Sequence, residues 1–438
     1  MLTLCGLYFA QGIPWGFVTV TLLAWLAKPE HGLTTEQLGP VIAVAALPWS
    51  FKFLWGPLMD RFPGGRFSRR FGRRRPWIIF AQSMAVLVFG AIWMCDDLPS
   101  MVWTDPPSEG WFWASIYPIA PGPLLLLILV GNVFVSLQDV AVDALAVDLL
   151  AEEERGVANG LMYGCSYLGT AVGGAGLGLV VARWGIGAGL LGQCILLATI
   201  MLLPILLRER PSVFDSVTPN DDLANKPIRR SVVVDLLRAF SLRSTILGAV
   251  IALGIKIGIG VLSVVFVNYL IKDGGWTQEE YTTYVGGYSV MLGLAGAILG
   301  GFLADRFGAK FMILLTSVLL AATWIGIGVV PDAVTSKPTI KAMLLAQEFI
   351  LAVSSVSLFA LFMGIAWPKV AATQFTAYMA LMNFSVTIGS YTASVLDQQF
   401  TISQILIIAG LLQIAMTVPV LFIDPRQTRE VLGDGVSK

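Results

Sequence analysis

A chain of 438 residues, 56% of them hydrophobic and only 13% charged, with a mean hydropathy of +0.78, cannot be a water-soluble globular domain. Its 28 basic and 28 acidic side chains cancel, so overall charge implies neither nucleic acid nor an acidic membrane surface as partner. The four cysteines, Cys5, Cys95, Cys165 and Cys194, show no CxxC or Cys/His ligand spacing, so they read as core thiols and no metal is expected.

Apolar runs of about twenty residues recur from end to end, the length a helix needs to cross a hydrocarbon core of about 30 Å. In chain order they fall at 2–27, 36–59, 76–95, 123–148, 157–182 and 186–207, then at 245–270, 283–304, 309–330, 340–365, 374–397 and 402–423. This pattern predicts an all-α polytopic membrane protein with twelve transmembrane helices in two six-helix bundles, 1–207 and 244–438, joined by a polar linker over 208–243. The helix after Met1 has no basic start and no small-residue cleavage site, and reads as a retained span. The 45 glycines suit helices in lipid, where small residues let backbones approach.

The first span places Gln11 beside Gly12, Pro14 and Gly16, residues that let a helix bend near the midplane, which makes Gln11 a substrate-binding candidate. The second carries Lys52, eight residues before Asp60 and so about 12 Å inside the span's end. The loop that follows holds Arg61, Arg66, Arg69, Arg70, Arg73, Arg74 and Arg75, and the central linker is also Arg-rich. Both are expected on the cytoplasmic side, as are both termini. The connection from Asp96 to Pro121 has acidic residues but no Lys or Arg, as the opposite side requires, and its Trp103, Trp111, Trp113 and Tyr117 suit the interface.

The fourth span carries Gln138, Asp139 and Asp143. The two carboxylates are four residues apart, hence on one helical face. A carboxylate in hydrocarbon costs at least several kcal/mol, so such groups face a polar cavity, find a cation or take up a proton. Asp139 lies nine residues before Asp148, a depth similar to that of Lys52, and Lys52 is expected to pair with Asp139 or Asp143. Asp139 and Asp143 are therefore proton-coupling candidates, and Lys52 and Gln138 substrate-binding candidates. A permanent ion pair that only holds helices together is the structural alternative. In the second half, Lys256 lies mid-span in the seventh helix and Glu348 early in the tenth. Lys256 suits an anionic substrate group, and Glu348 a proton or a hydroxyl, unless Glu348 sits hydrated at the outer boundary. Asn132, Gln193, Asn268, Gln347 and Asn383 add amides that serve a polar solute or bond between helices.

An internal repeat marks the two halves. Gly56-Pro57-Leu58-Met59-Asp60-Arg61-Phe62 ends the second span, and Gly301-Phe302-Leu303-Ala304-Asp305-Arg306-Phe307 ends the eighth. A parallel repeat of this kind points to an alternating-access transporter. Gly56, Asp60, Arg61 and Arg73, and in the second copy Gly301, Asp305 and Arg306, are expected to gate. Asp60 and Asp305 would dock a helix N-terminus, while Arg61 or Arg73 pairs with Asp148 or Glu152, latching the cytoplasmic side when the carrier faces outward.

The repeated string resembles the loop motif of the major facilitator superfamily, whose fold of two six-helix bundles around a central cavity would cover the whole chain. Phe51-Lys52-Phe53-Leu54-Trp55-Gly56-Pro57, Gly72-Arg73-Arg74-Arg75-Pro76-Trp77, Gln138-Asp139 to Asp143 and Glu153-Glu154-Arg155-Gly156 resemble the bacterial AmpG-type muropeptide permeases. That resemblance implies import of anhydro-muropeptides across the inner membrane, coupled to protons, in peptidoglycan recycling. Leu145-Ala146-Val147 stands where permeases of that type place a Trp-Lys-Thr run, and the related acetyl-coenzyme A transporters also lack that Lys. Two further readings therefore stay open, a carrier of another bulky anionic metabolite such as acetyl-coenzyme A, and a non-transporting membrane sensor. The lone histidine, His31, forms no triad, and no phosphate-cradling loop occurs, so neither an enzyme nor a cofactor is expected. The expected partners are a small-molecule solute, protons and membrane lipid, around a monomer.

Overall fold

The computed structural model describes residues 1–55, 58–59, 72, 74–104, 120–149, 155–206, 228–330 and 332–433. Among these, twelve helices are long and apolar enough to cross a membrane. The first six are Leu2–Leu26, Thr35–Leu54, Arg75–Trp93, Pro123–Ala146, Leu161–Trp184 and Ile186–Leu206. The other six are Arg243–Lys272, Gln278–Phe307, Ala309–Val329, Lys337–Ile365, Thr373–Gln399 and Ile402–Phe422. The all-α polytopic fold read from the apolar runs is the fold observed, with span ends displaced by a few residues. A two-residue ribbon, Trp103–Thr104 against Ala120–Pro121, ties the base of the loop between the third and fourth spans. One element had no counterpart in the hydropathy pattern: the helix Ile228–Phe240, whose charged face hides a short apolar stripe. It docks through Leu236 and Ala239 onto Trp367 and Val370, in the turn between the tenth and eleventh spans.

The repeat seen in the sequence extends to packing. The first span packs on the fifth, the second on the fourth, and the third on the fourth and sixth. In the second half the seventh packs on the eleventh, the eighth on the tenth, and the ninth on the tenth and twelfth, the same pairs shifted by six spans. The halves meet where the second span lies on the eleventh and the fifth on the eighth, again an equivalent pair.

Two crossings show why so many glycines are needed. A Cβ on Gly173 of the fifth span would lie 2.1 Å from the carbonyl oxygen of Ile13 in the first, and one on Gly389 of the eleventh 2.3 Å from that of Ile257 in the seventh. Both pairs are backbone-to-backbone contacts that only glycine permits. A second device also recurs. Arg75, at the start of the third span, donates to the carbonyls of Pro204 and Ile205 at the end of the sixth. Lys310, at the start of the ninth, donates to Ile423 O, past the end of the twelfth, at 2.7 Å. Each basic group satisfies carbonyls that a helix end leaves unpaired.

The two faces differ. On the far side, opposite the N-terminus, the outer ends of the second, seventh and eleventh spans are joined. Thr35 donates to Asp397, Asn268 Nδ2 donates to Thr35 Oγ1 at 2.6 Å, Lys272 reaches Leu33 O, and Gln398 Nε2 donates to Glu36 at 3.3 Å. The fifth and eighth spans close the other flank, where a Cβ on Gly174 would come 2.8 Å from Gly286 Cα. On the side of the N-terminus, Phe51 and Phe53 are exposed and a groove of about 300 Å³ lies between the second and eleventh spans, lined by Ser50, Phe51, Phe53, Ala380, Leu381 and Phe384. Among the described residues, the halves are therefore joined by side chains at the far side, while at the terminal side a groove lies between the second and eleventh spans.

Candidate functional site

The charged cluster of the first half is set up by a helix that stops and one that does not. Pro48 lies within the last turn of the second span, whose α-helix ends at Ser50; Phe51 leaves the helical region at φ −112°, and Lys52–Leu54 form a 3-10 turn. The unpaired carbonyls at that end favour a cation, and Lys52 is the residue placed there. The fourth span continues unbroken as Pro123–Leu149, so Asp139 and Asp143 stay on one face. Trp55 Nε1 donates to Ser136 Oγ at 2.9 Å and holds the second span against the fourth one turn before Asp139.

Lys52 Nζ lies 3.3 Å from Asp139 Oδ2, with side-chain exposures of only 15% and 7%. Asp143 instead accepts a hydrogen bond from the hydroxyl of Tyr8 on the first span. The ring of Tyr163 on the fifth span lies 6.0 Å from that of Tyr8. One ammonium thus serves two carboxylates on the same helical face. With every group ionised the cluster holds one net negative charge inside the bundle, which makes it a place where a cation or proton is retained.

In the second half, the seventh span is interrupted between Arg243–Gly254 and Ile257–Lys272, and Lys256 sits in the interruption with its backbone N–H donating to Ser385 Oγ at 3.1 Å. Both intramembrane lysines therefore occupy helix breaks, on spans that neighbour each other at the interface between halves. Glu348 is half-buried on the tenth span, where its Cγ lies 3.3 Å from the position a Cβ would take on Gly293 of the eighth. Lys256 and Glu348 are within electrostatic reach of each other, but form no direct ion pair.

The remaining candidates lie as follows. Gln11 is buried, and its Nε2 has no hydrogen-bond partner. Gln138 donates to Gln82 Oε1 at 3.0 Å, and Gln82 donates to Leu197 O at 2.7 Å, a chain tying the fourth, third and sixth spans together. Asn132 bonds back to Ile128 O in its own helix, and Gln347 accepts from Trp324 Nε1. Asp305 is exposed with no polar partner among the described residues, Arg306 lies over the ring of its neighbour Phe307, and a Cβ on Gly301 would meet Val356 Cγ1 at 3.9 Å, an ordinary contact. Gly56, Asp60, Arg61 and Arg73, and the side chain of Asp148, lie outside the described residues. Among the described residues no cluster of His, Cys, Asp and Glu could hold a metal ion.

Sequence reasoning missed Tyr8, Tyr163 and Trp55. A tyrosine or tryptophan in an apolar helix is an ordinary residue there; only the position of Tyr8 one turn before Gln11, on a span expected to line a cavity, could have drawn attention to it.

A family model described as Major Facilitator Superfamily matches residues 4–390. The chain is 25% identical over 317 residues to the anhydromuropeptide permease of Escherichia coli, a match that covers 72% of this chain but only 57% of that protein. It is 27% identical over 398 residues to a Rickettsia conorii protein named as a transporter, AmpG 4, covering 86% of each. Among solved structures, the D-xylose–proton symporter superposes with a TM-score of 0.68 at 16% identity over 96% of each chain. The nucleoside transporter NupG gives 0.66 at 11% identity, covering 96% of this chain and 99% of the other. At these identities the structures share the fold alone.

Proposed function

The chain belongs to the major facilitator superfamily of membrane transporters, and from that premise we propose that it imports an anhydro-muropeptide, or a similar sugar-peptide solute, together with protons by alternating access. The observation that carries this reading is the buried cluster in which Lys52 pairs with Asp139 while Asp143, one turn on, has only the Tyr8 hydroxyl. In this reading Asp143 takes the proton that cancels the surplus negative charge, and Asp139 either holds Lys52 or releases it to an anionic group of the solute. Lys256 and Glu348 receive the solute from the other half, with Gln11 Nε2 as a further donor. The polar contacts that join the halves at the far side and the groove at the terminal side suit an inward-facing carrier if the Arg-rich loops are cytoplasmic in a bacterial inner membrane. Asp305, which has no polar partner among the described residues, then fits a gating motif that engages only when the carrier faces outward. In this reading both charged clusters belong to one chain, so a monomer suffices.

The charge count favours a sugar-peptide over an acyl-coenzyme A. Two lysines face three carboxylates, Asp139, Asp143 and Glu348, a lining that repels a polyanion and suits a solute with both charge signs. The names of the relatives point the same way. The test is uptake of labelled anhydro-muropeptide into proteoliposomes with and without an inward proton gradient. Gradient-driven uptake by the native chain, abolished in Asp139→Asn and uncoupled from the gradient in Asp143→Asn, is the expected result. Uptake that still follows the gradient in both variants would remove the cluster from coupling.

A further inference from the structure

Between the two charged clusters runs one face of the fifth span, and its side chains there are tyrosines. Tyr163 and Tyr167 are four residues apart, hence one above the other on that face, about 6 Å apart along the axis. Tyr163 is 46% exposed, yet its ring lies 6.0 Å from Tyr8, which is itself buried and bonded to Asp143. It also lies within electrostatic reach of Lys52, Asp139 and Asp143. A ring so placed opens onto the cleft rather than onto lipid. Tyr167 stands beside the second cluster. Its Cε1 lies 3.1 Å from where Gly293 would carry a Cβ, the same position that Glu348 Cγ approaches to 3.3 Å, so Tyr167 and Glu348 share the space that this glycine leaves. The fifth span thus carries an aromatic, hydroxyl-bearing strip from the lysine–aspartate cluster of one half to the glutamate and lysine of the other.

We propose that Tyr163 and Tyr167 are ligand-contacting residues, a platform for an uncharged hydroxylated ring whose charged substituents reach Lys52 on one side and Glu348 and Lys256 on the other. The proposal rests on the transport of a sugar-peptide stated above and assigns the part of the cleft that takes the sugar. A saccharide ring suits such a strip because its axial C–H face lies flat on an aromatic ring while its hydroxyls bond at the edge to the phenol groups and the acids.

The test uses the full chain with Cys5, Cys95, Cys165 and Cys194 replaced by Ser, carrying Tyr163→Cys or Tyr167→Cys in turn. Both new thiols should react with a water-soluble maleimide, and the anhydro-disaccharide tripeptide should slow that reaction several-fold, while the same tripeptide without sugar should not. In a chain with its native cysteines, Tyr163→Ala should bind the conjugate more weakly by about tenfold or more, while Tyr163→Phe, which keeps the ring but loses its hydroxyl, should lose only about two- to threefold. Thiols that do not react, or that react without protection while the native chain binds the conjugate, would overturn the assignment. A native chain that binds no conjugate would remove the sugar-peptide reading and this assignment with it; maleimide reactivity then still tells whether the tyrosines face water, so the two failures differ.

Discussion

The two halves share a scaffold and differ in chemistry. Their helix pairs coincide when shifted by six spans, each has a glycine crossing between its first and fifth helices, and each has a basic group capping the end of its sixth. The charged groups follow no such repeat. The first half places a lysine in contact with an aspartate and gives the neighbouring aspartate a phenol. The second half holds a lysine and a glutamate on separate spans, without a direct ion pair between the two side chains. Backbone contacts that only small residues allow are fixed by the geometry of crossing helices and so recur, whereas a charged side chain is constrained only by what it must bind. In the proposed mechanism the first half keeps its charges paired between turnovers, and the second has its pair completed by solute.

That contrast can be broken most sharply at Lys52. Lys52→Met leaves Asp139 buried without its cation, and should lower stability in detergent by about 3–5 kcal/mol, read as a fall in thermal midpoint. Adding Asp139→Asn to the same chain should recover most of that loss without restoring uptake. If the single variant is as stable as the native chain, the pair is not the buried contact described. The shared scaffold is tested next. Gly173→Ala and Gly389→Ala each drive a methyl group into a carbonyl oxygen, and each should cost about 1–3 kcal/mol. A large cost at one crossing and none at the other would mean that the halves are not built alike.

Smaller effects follow at the helix ends. Arg75→Ala removes donors from two carbonyls and should cost about 1–2 kcal/mol, with Lys310→Ala nearer the lower figure, measured by chemical denaturation in mild detergent. The smallest stability change is expected for Glu348→Gln, about 1 kcal/mol or less, because no direct ion pair is lost. Its effect should instead appear as a rise in KM for uptake. A stability loss at Glu348 equal to that at Lys52 would erase the distinction between the halves.

Much of this was legible in the residue string for reasons that are local. A run of about twenty apolar residues must span a bilayer, whatever surrounds it, so the twelve spans and the all-α fold followed from hydropathy. Two aspartates four apart on a continuous helix share a face wherever the helix goes, and Lys52 and Asp139 lie at matching depths because rise per residue is constant. The linker helix Ile228–Phe240 was not legible, since its few apolar residues gain their role only by docking on Trp367 and Val370.

What the chain could not declare was the choice among partners. Depth alone allowed Lys52 either aspartate; the end of the second helix at Ser50 directs it to Asp139 and leaves Asp143 to Tyr8, a residue 135 positions away in sequence. Gln138 had equal claim to a solute or to a neighbouring helix, and packing of the third span supplies Gln82. The side on which the halves part was equally undecided, because it depends on whether Thr35, Asn268 and Asp397 meet, three polar groups drawn from three spans. Helix length, face and depth are properties of one segment and its solvent, and the sequence alone determines them. Which buried polar group satisfies which is a property of the assembled bundle, where several pairings cost little to exchange, and only the tertiary structure selects one.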